Sequence, residues 1–364
     1  MKNTFGNNVT VTVFGESHGC GIGVVIDGLS PGIDVDIEYI NKLLSLRRPS
    51  GNISTSRREA DEFVIQSGVF EGKTCGTPIC ITIPNADTRS KDYSATRWLA
   101  RPSHADYTAN CKYKGFEDYR GGGHFSGRIT AALVAAGGIV LPALAKKGIL
   151  VGTHIKKCAQ ITDRDFSSDL EKDIMSLYEK EFAVLDDEKA KSMSDAILKA
   201  KSEGNSVGGI LETAITGLDA GIGEPMFDSV ESMLSHALFS VPGIKGVEFG
   251  AGFALADMLG SEANDEFYCE NGKILTKTNN AGGINGGITN GMPIIFRCAV
   301  RPTPTLSLEQ KTVNIQSKEN TVLASKGRHD PCIVHRARIV VDCITALTLC
   351  DILSGKYGTD WLAE

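Results

Sequence analysis

Three short stretches set a histidine beside a carboxylate or hydroxyl and a turn former: GESHG (15–19), RPSHADYT (101–108) and GRHDP (327–331). A turn needs Gly, Asn or Asp, and it has no need of His18. Histidine titrates near neutrality, so one held in a loop next to an acid or a hydroxyl is a candidate proton donor or acceptor. His18, His104 and His329 fit that pattern, with Asp330 adjoining the last. His154, His236 and His335 fall within regular elements and read as structural. GESHG also matches G-x-S-x-G, the turn that carries a hydrolase nucleophile. That turn runs straight into a helix, whereas residues 22–27 read as a strand, so a hydrolase is the weaker reading. A metal site would want H-E-x-x-H or clustered Cys and His, and the sequence contains neither.

A second set of residues points to an anionic ligand. RGGGHFSGR (120–128) opens an apolar helical run, and backbone N–H groups at such a helix start can approach an anion. It lacks the Walker lysine and is not GxGxxG after a strand. Ser126 and Arg128 add a hydroxyl and a planar donor fork. Arg47, Arg48, Arg57, Arg58, Arg101, Arg120, Arg128, Arg301 and Arg328 all sit in or beside Gly-, Pro- or Ser-rich segments. One such arginine is a surface solubiliser; this many in motif-like loops suit a ligand with several carboxylates or phosphates. A phosphohydrolase, or a binding protein without turnover, would use the same pocket. The first would need a metal-binding carboxylate cluster or a P-loop lysine.

These residues must be positioned by something. Residues 9–14 and 22–27 read as strands joined by the GESHG turn. Residues 36–47 read as a helix with Ile37, Ile40, Leu43 and Leu44 on one face, followed by the polar loop 46–59. Residues 63–70 and 77–84 are strand candidates, and 85–126 carries little periodicity, as functional loops do. The run ITAALVAAGGIVLPALA (129–145) lies in a helix, 127–147, buried on all sides rather than in a membrane span. Strands are expected over 149–161, 207–217, 246–256 and 293–300, and helices over 167–203, over 226–239 with Phe227 on its buried stripe, and over 332–354. NNAGGINGGITNG (279–291) is a second glycine-rich loop. Strands come in neighbouring runs, which favours an α+β fold with antiparallel sheets packed on helices, in one domain spanning 1–364.

Bulk properties bound the class. With 41% hydrophobic and 23% charged residues the chain reads as an ordinary soluble globular protein. A net charge of −6 argues against nucleic acid as a partner. MKNTFGNNVTV has no apolar core of a signal peptide. The ten cysteines form no C-x-x-C and suit reduced, mostly buried thiols in the cytoplasm.

Taken together, FGESHG (14–19), RRP (47–49) with TSRRE (55–59), SGVFEGKTCGTPI (67–79), NADTRSKDYS (85–94), RPSHADYT, DYRGGG (118–123), GVEFG (246–250), NNAGGINGGI (279–288) and KGRHDPC (326–332) resemble the chorismate synthase family, in order and over residues 5 to 350. The resemblance implies a β-α-β sandwich with helices between two antiparallel sheets, usually a homotetramer. It implies a lyase that converts 5-enolpyruvylshikimate 3-phosphate to chorismate and phosphate, the seventh step of the shikimate pathway, with reduced FMN (FMNH2) and no net redox change. By similarity His18 is a general acid near the departing phosphate, His104 protonates or holds the flavin, and Asp330 relays a proton. The flavin would meet His124, Phe125, Ser126, Pro242, Gly243, Gly286, Arg301, Pro302, Thr303, Pro304, Thr305 and Arg328. The substrate would meet Arg47, Arg48, Ser126, Arg128 and Arg328.

The chain departs from that pattern in places. Where the family commonly carries Arg and two small hydroxyl residues, it has His124-Phe125-Ser126. Ile129 stands where Glu is common, and Pro302-Thr303-Pro304-Thr305 replaces Pro-Thr-Ser-Ser. An arginine linked with NADPH is common a few residues beyond Arg47, and Ile53 stands there. There is no large insertion like those of forms that reduce their own flavin, so a separate flavin reductase or free reduced flavin is the expected source.

Overall fold

The apolar runs flanking GESHG form a hairpin that starts the first of two sheets. The computed structural model describes residues 2–55, 60–86, 96–324 and 330–363. The first sheet comprises β1 (Thr4–Phe5), β2 (Thr10–Gly15), β3 (Gly21–Asp27), β4 (Val64–Ser67) and, beyond a small hairpin of β5 (Val69–Phe70) and β6 (Lys73–Thr74), β7 (Ile79–Pro84). Its spatial order is β1-β2-β3-β7-β4. The second comprises β8 (Leu150–Cys158), β9 (Ile161–Thr162), β10 (Gly209–Thr216) and β11 (Ile244–Phe249). After two hairpins, β12 (Phe267–Glu270) with β13 (Lys273–Thr276) and β14 (Ile284–Asn285) with β15 (Ile288–Thr289), it is completed by β16 (Ile294–Val300). Its order is β11-β16-β10-β8-β9. Pairings in both sheets are antiparallel. A last hairpin joins β17 (Gln310–Val313) to β18 (Asn320–Leu323).

The helices are α1 (Ile37–Arg47), α2 (Asp106–Tyr113), α3 (Thr130–Lys146), α4 (Leu170–Leu177), α5 (Asp187–Ser202), α6 (Val230–Leu238), the short α7 (Gly260–Ala263) and α8 (Val334–Tyr357). α3 packs on β3 and β7, α8 packs on β8 and β10, and the two helices pack on each other. The result is the expected sandwich, with helices between two antiparallel sheets. α3 is buried nearly all round, which explains its uninterrupted apolar sequence. Its glycine pair permits the close approach. A Cβ on Gly137 would lie 2.3 Å from Cys343 Cβ in α8, and one on Gly138 would lie 2.8 Å from Ile40 Cγ1 in α1.

Several expectations are corrected. Asp106–Tyr113 is helical inside the stretch read as irregular. The strand expected over 246–256 ends at Phe249, and Gly252–Asp257 turns into a 3-10 helix. Phe227 is 88% exposed because its helix starts only at Val230, and Ile37, at the first turn of α1, is 46% exposed. The cysteines are not mostly buried: five are buried and four exposed, all free.

Candidate active site

One cavity of about 1230 Å³ collects residues from almost every loop singled out above. The turn after β2 supplies His18. Gly15, at φ 96°, makes the turn possible, and the N–H of Ser17 donates to the Gly123 carbonyl at 3.1 Å. His18 is 7% exposed, with Nδ1 3.1 Å from Ser17 Oγ. Its ring rests on Gly121, where a Cβ would come within 2.1 Å of His18 Cε1. The triple glycine read as an anion cradle is thus, in part, the seat of a histidine. Gly123 is equally constrained, since a Cβ there would lie 2.2 Å from the Asp118 carbonyl oxygen.

His104 sits on the loop before α2. Arg101 braces that loop, with Nε and Nη2 donating to Asp106 at 2.8 and 2.6 Å. Burial alone would raise the Asp106 carboxyl, but Arg101 outweighs it and holds the group below the usual carboxylate range. His104 Nε2 lies 2.8 Å from Thr305 Oγ1, and Arg301 Nη1 donates to the Ser103 carbonyl at 2.6 Å. The segment after β16 therefore holds the histidine loop in place. His124 Nδ1 lies 2.8 Å from the Gly15 carbonyl oxygen, which fixes Nδ1 as the protonated nitrogen.

The floor is a lattice of charges. Arg47 Nε donates to Thr130 Oγ1 at 3.1 Å, Nη1 to Asp61 at 3.4 Å and Nη2 to the Gly127 carbonyl at 2.7 Å. Burial pushes the Arg47 guanidinium down to about 9, against the pull of Asp61. Arg128 donates to Asn85 Oδ1 and the Pro84 carbonyl, each at 3.1 Å, and to Asp61. Asp330 Oδ1 accepts from the N–H of Thr55 at 2.9 Å and Oδ2 from Arg336 Nη1 at 2.7 Å. Arg336 Nε reaches back to the Arg47 carbonyl at 2.8 Å. Ser126 Oγ accepts from the Arg128 N–H at 3.2 Å and caps the turn into α3. Arg48 donates to the Ala60 carbonyl at 2.9 Å, and its buried Nε has no partner among the described residues.

The cavity thus brings together His18, His104, Asp330, Arg47, Arg128, His124, Phe125, Ser126, Pro242, Gly243 and the run Arg301 to Thr305. Gly286 is not among its lining residues. It lies in the β14–β15 turn, and its neighbour Gly287 is pressed against the Glu224 carbonyl. Arg57, Arg58, Arg328 and His329 lie outside the described residues. Arg47 and Arg128, read as ligand contacts, are each 5% exposed and turn their donors mainly to protein acceptors. His236, read as structural, lines the cavity with its ring edge-on to Phe5. His335 is structural: burial pushes it down to about 4, and Nε2 meets Ser54 Oγ at 2.9 Å. His154 lies between Asp163 and Glu212 in the second sheet. Asp61, Arg336 and Thr305 as the partner of His104 carried no sequence signal, because no local motif marks Asp61 as the partner of Arg47 and Arg128, Arg336 as that of Asp330, or Thr305 as that of His104.

Beside these polar groups the lining includes the buried apolar side chains of Leu133, Val340 and Ile344. Thr303 Oγ1, on a lining residue, is buried with no partner among the described residues. Such a site can hold a flat apolar ring with a polar tail beside a polyanion.

The chorismate synthase family model matches residues 9–353. Chorismate synthases of Chitinophaga pinensis, Synechocystis sp. and Aeropyrum pernix are similar at 46%, 45% and 42% identity. These alignments cover 96%, 97% and 97% of this chain and 96%, 97% and 93% of the relatives. A solved structure described as a crystal structure of chorismate synthase superposes with a TM-score of 0.77 at 28% identity, covering 98% of this chain and 94% of that one. With the sandwich, the cavity and the motif order in agreement, this chain belongs to the chorismate synthase family.

Proposed function

We propose that the chain eliminates phosphate from 5-enolpyruvylshikimate 3-phosphate in a 1,4-anti sense, giving chorismate and inorganic phosphate, with reduced FMN bound and no net redox change. The observation that carries this is the convergence of His18, His104 and Asp330, from three distant segments, over a floor of arginines. The substrate carries one phosphate and two carboxylates, which a net positive floor would hold and orient. In the reaction the allylic C–O bond breaks, phosphate leaves with the electron pair, and C6 loses a proton. His18, protonated, donates to the departing phosphate oxygen. His104, held by Thr305, would protonate or hold the flavin. Asp330, oriented by Arg336 and Thr55, would relay the proton lost from C6. Leu133, Val340, Ile344 and the Arg301 to Thr305 segment would hold the flavin, with Thr303 Oγ1 available to a polar group. When bound, reduced FMN supplies electron density that assists phosphate departure.

The chain works in this reading as a single domain in the cytoplasm, fed by a flavin reductase or free reduced flavin, with neither nucleic acid nor membrane as partner. A homotetramer is supported by the exposed apolar side chains Phe253, Leu259, Phe267 and Ile274 on the arm from Gly252 to Thr276.

The test is anaerobic mixing of protein, reduced FMN and substrate, following chorismate absorbance and phosphate together. Equal appearance of both, none with oxidised FMN, and losses of about 10²-fold in His18→Ala and His104→Ala are expected. Phosphate without chorismate would make the protein a phosphohydrolase. Binding without product would make it a flavin-binding protein.

A further inference from the structure

Asp61 has no part in the chemistry above and does not line the cavity, yet its side chain is fully buried behind the floor. Its two oxygens face two different guanidiniums, Oδ2 toward Arg47 Nη1 and Oδ1 toward Arg128 Nη1. Its backbone is left-handed, φ 54°, a region that Asp and Asn enter more readily than most residues. Among the described residues of the floor, the guanidiniums of Arg47, Arg128 and Arg336 stand against the carboxylates of Asp61 and Asp330. This ion-paired cluster, Arg48 apart, carries one net positive charge.

We infer that Asp61 is a positioning residue that fixes both arginines and, by cancelling one positive charge, keeps the floor from retaining the phosphate that the reaction releases. This rests on the elimination reading. A polyanion must be gripped there, and a smaller anion must leave. Attraction at short range in a poorly screened site is strong. A second net positive charge would therefore tighten the hold on every anion and slow the departure of the one that must go.

Asp61→Asn keeps the shape and the backbone preference while removing the charge. Binding of inorganic phosphate is measured by titration calorimetry and turnover by the anaerobic assay. Calorimetry needs no turnover, so an inactive wild type would sink the elimination reading while the charge measurement still decided this one. Asp61→Asn should bind phosphate about tenfold more tightly, with kcat about tenfold lower and KM unchanged or lower. Asp61→Asn/Arg128→Gln, which restores the net charge, should return phosphate affinity to within about threefold of wild type. Unchanged or weaker phosphate binding in Asp61→Asn, or a rise in KM with the fall in kcat, would reduce Asp61 to structural support. If Asp61→Asn does not fold, the double variant decides: near wild-type phosphate affinity supports the charge role, and loss beyond about tenfold overturns it. If neither variant folds, Asp61 serves folding alone and the inference fails.

Discussion

Gly121→Ala separates the placement of His18 from the stability of its loop. Gly121 has φ 61°, so alanine must adopt the left-handed region, at about 1–2 kcal/mol. The larger effect is steric. The new methyl would lie 2.1 Å from His18 Cε1 and 2.3 Å from Nδ1, and the ordinary contact range begins at 3.4 Å. The ring or the loop must give by roughly 1.3 Å to reach it. Misplacing a reacting group by about 1 Å costs about 10²-fold in rate, or roughly 2.7 kcal/mol of barrier. Gly122→Ala is the control. Its φ is 96°, at least as unfavourable, but among the described residues the nearest heavy atom outside its own turn is Ser126 Cβ at 3.9 Å. Both variants should melt a few degrees lower, and only Gly121→Ala should lose about 10²-fold in kcat under anaerobic assay with reduced FMN. Wild-type kcat in Gly121→Ala, or an equal loss in Gly122→Ala, would refute the claim that the glycine seats His18.

Two further outcomes follow from burial. His335 has its folded pKa pushed down from 6.5 to about 4, so the unfolded chain takes up the proton first. Its contribution is complete above pH 6.5 and is lost as pH falls toward 4, about 3 kcal/mol in all. Denaturant melts across that window should show the slope in wild type and a flatter profile in His335→Gln; identical slopes would exclude His335 as the source. Gly137→Ala drives a methyl into Cys343 at the contact of α3 with α8 and should cost about 1–3 kcal/mol. Gly148→Ala, with open space around it, should lose only the strain of its positive φ, and an equal loss at both sites would discount the helix contact.

Much of the fold was legible because its signals are local. The strands on either side of GESHG carry dense β-branched residues. α3 is apolar on every side, as only a helix between two layers can be. The elements that went unread lack that contrast. In α2 only Ala109 is buried, so its sequence shows no apolar stripe. The β12–β13 hairpin is exposed along almost its whole length, so no alternation marks it. The extension of the 246–256 strand failed at Gly250 and Gly252, which take positive φ and turn the chain away from the sheet.

The site was legible in its residue types and illegible in its partnerships. A histidine in a glycine turn announces itself, but the glycine that seats it lies a hundred residues later. Arginines in Ser- and Gly-rich loops announce an anion, yet nothing in the sequence separates an arginine that touches the anion from one that shapes its site. Burial makes that separation. Arg47 and Arg128 have their donors spent on Thr130, Gly127, Asn85, Pro84 and a shared Asp61, so they act on a ligand chiefly through charge. Charge acts at a distance and does not demand a hydrogen bond. It follows that Asp61, which touches neither ligand nor cavity, bears on anion binding as directly as the arginines it joins.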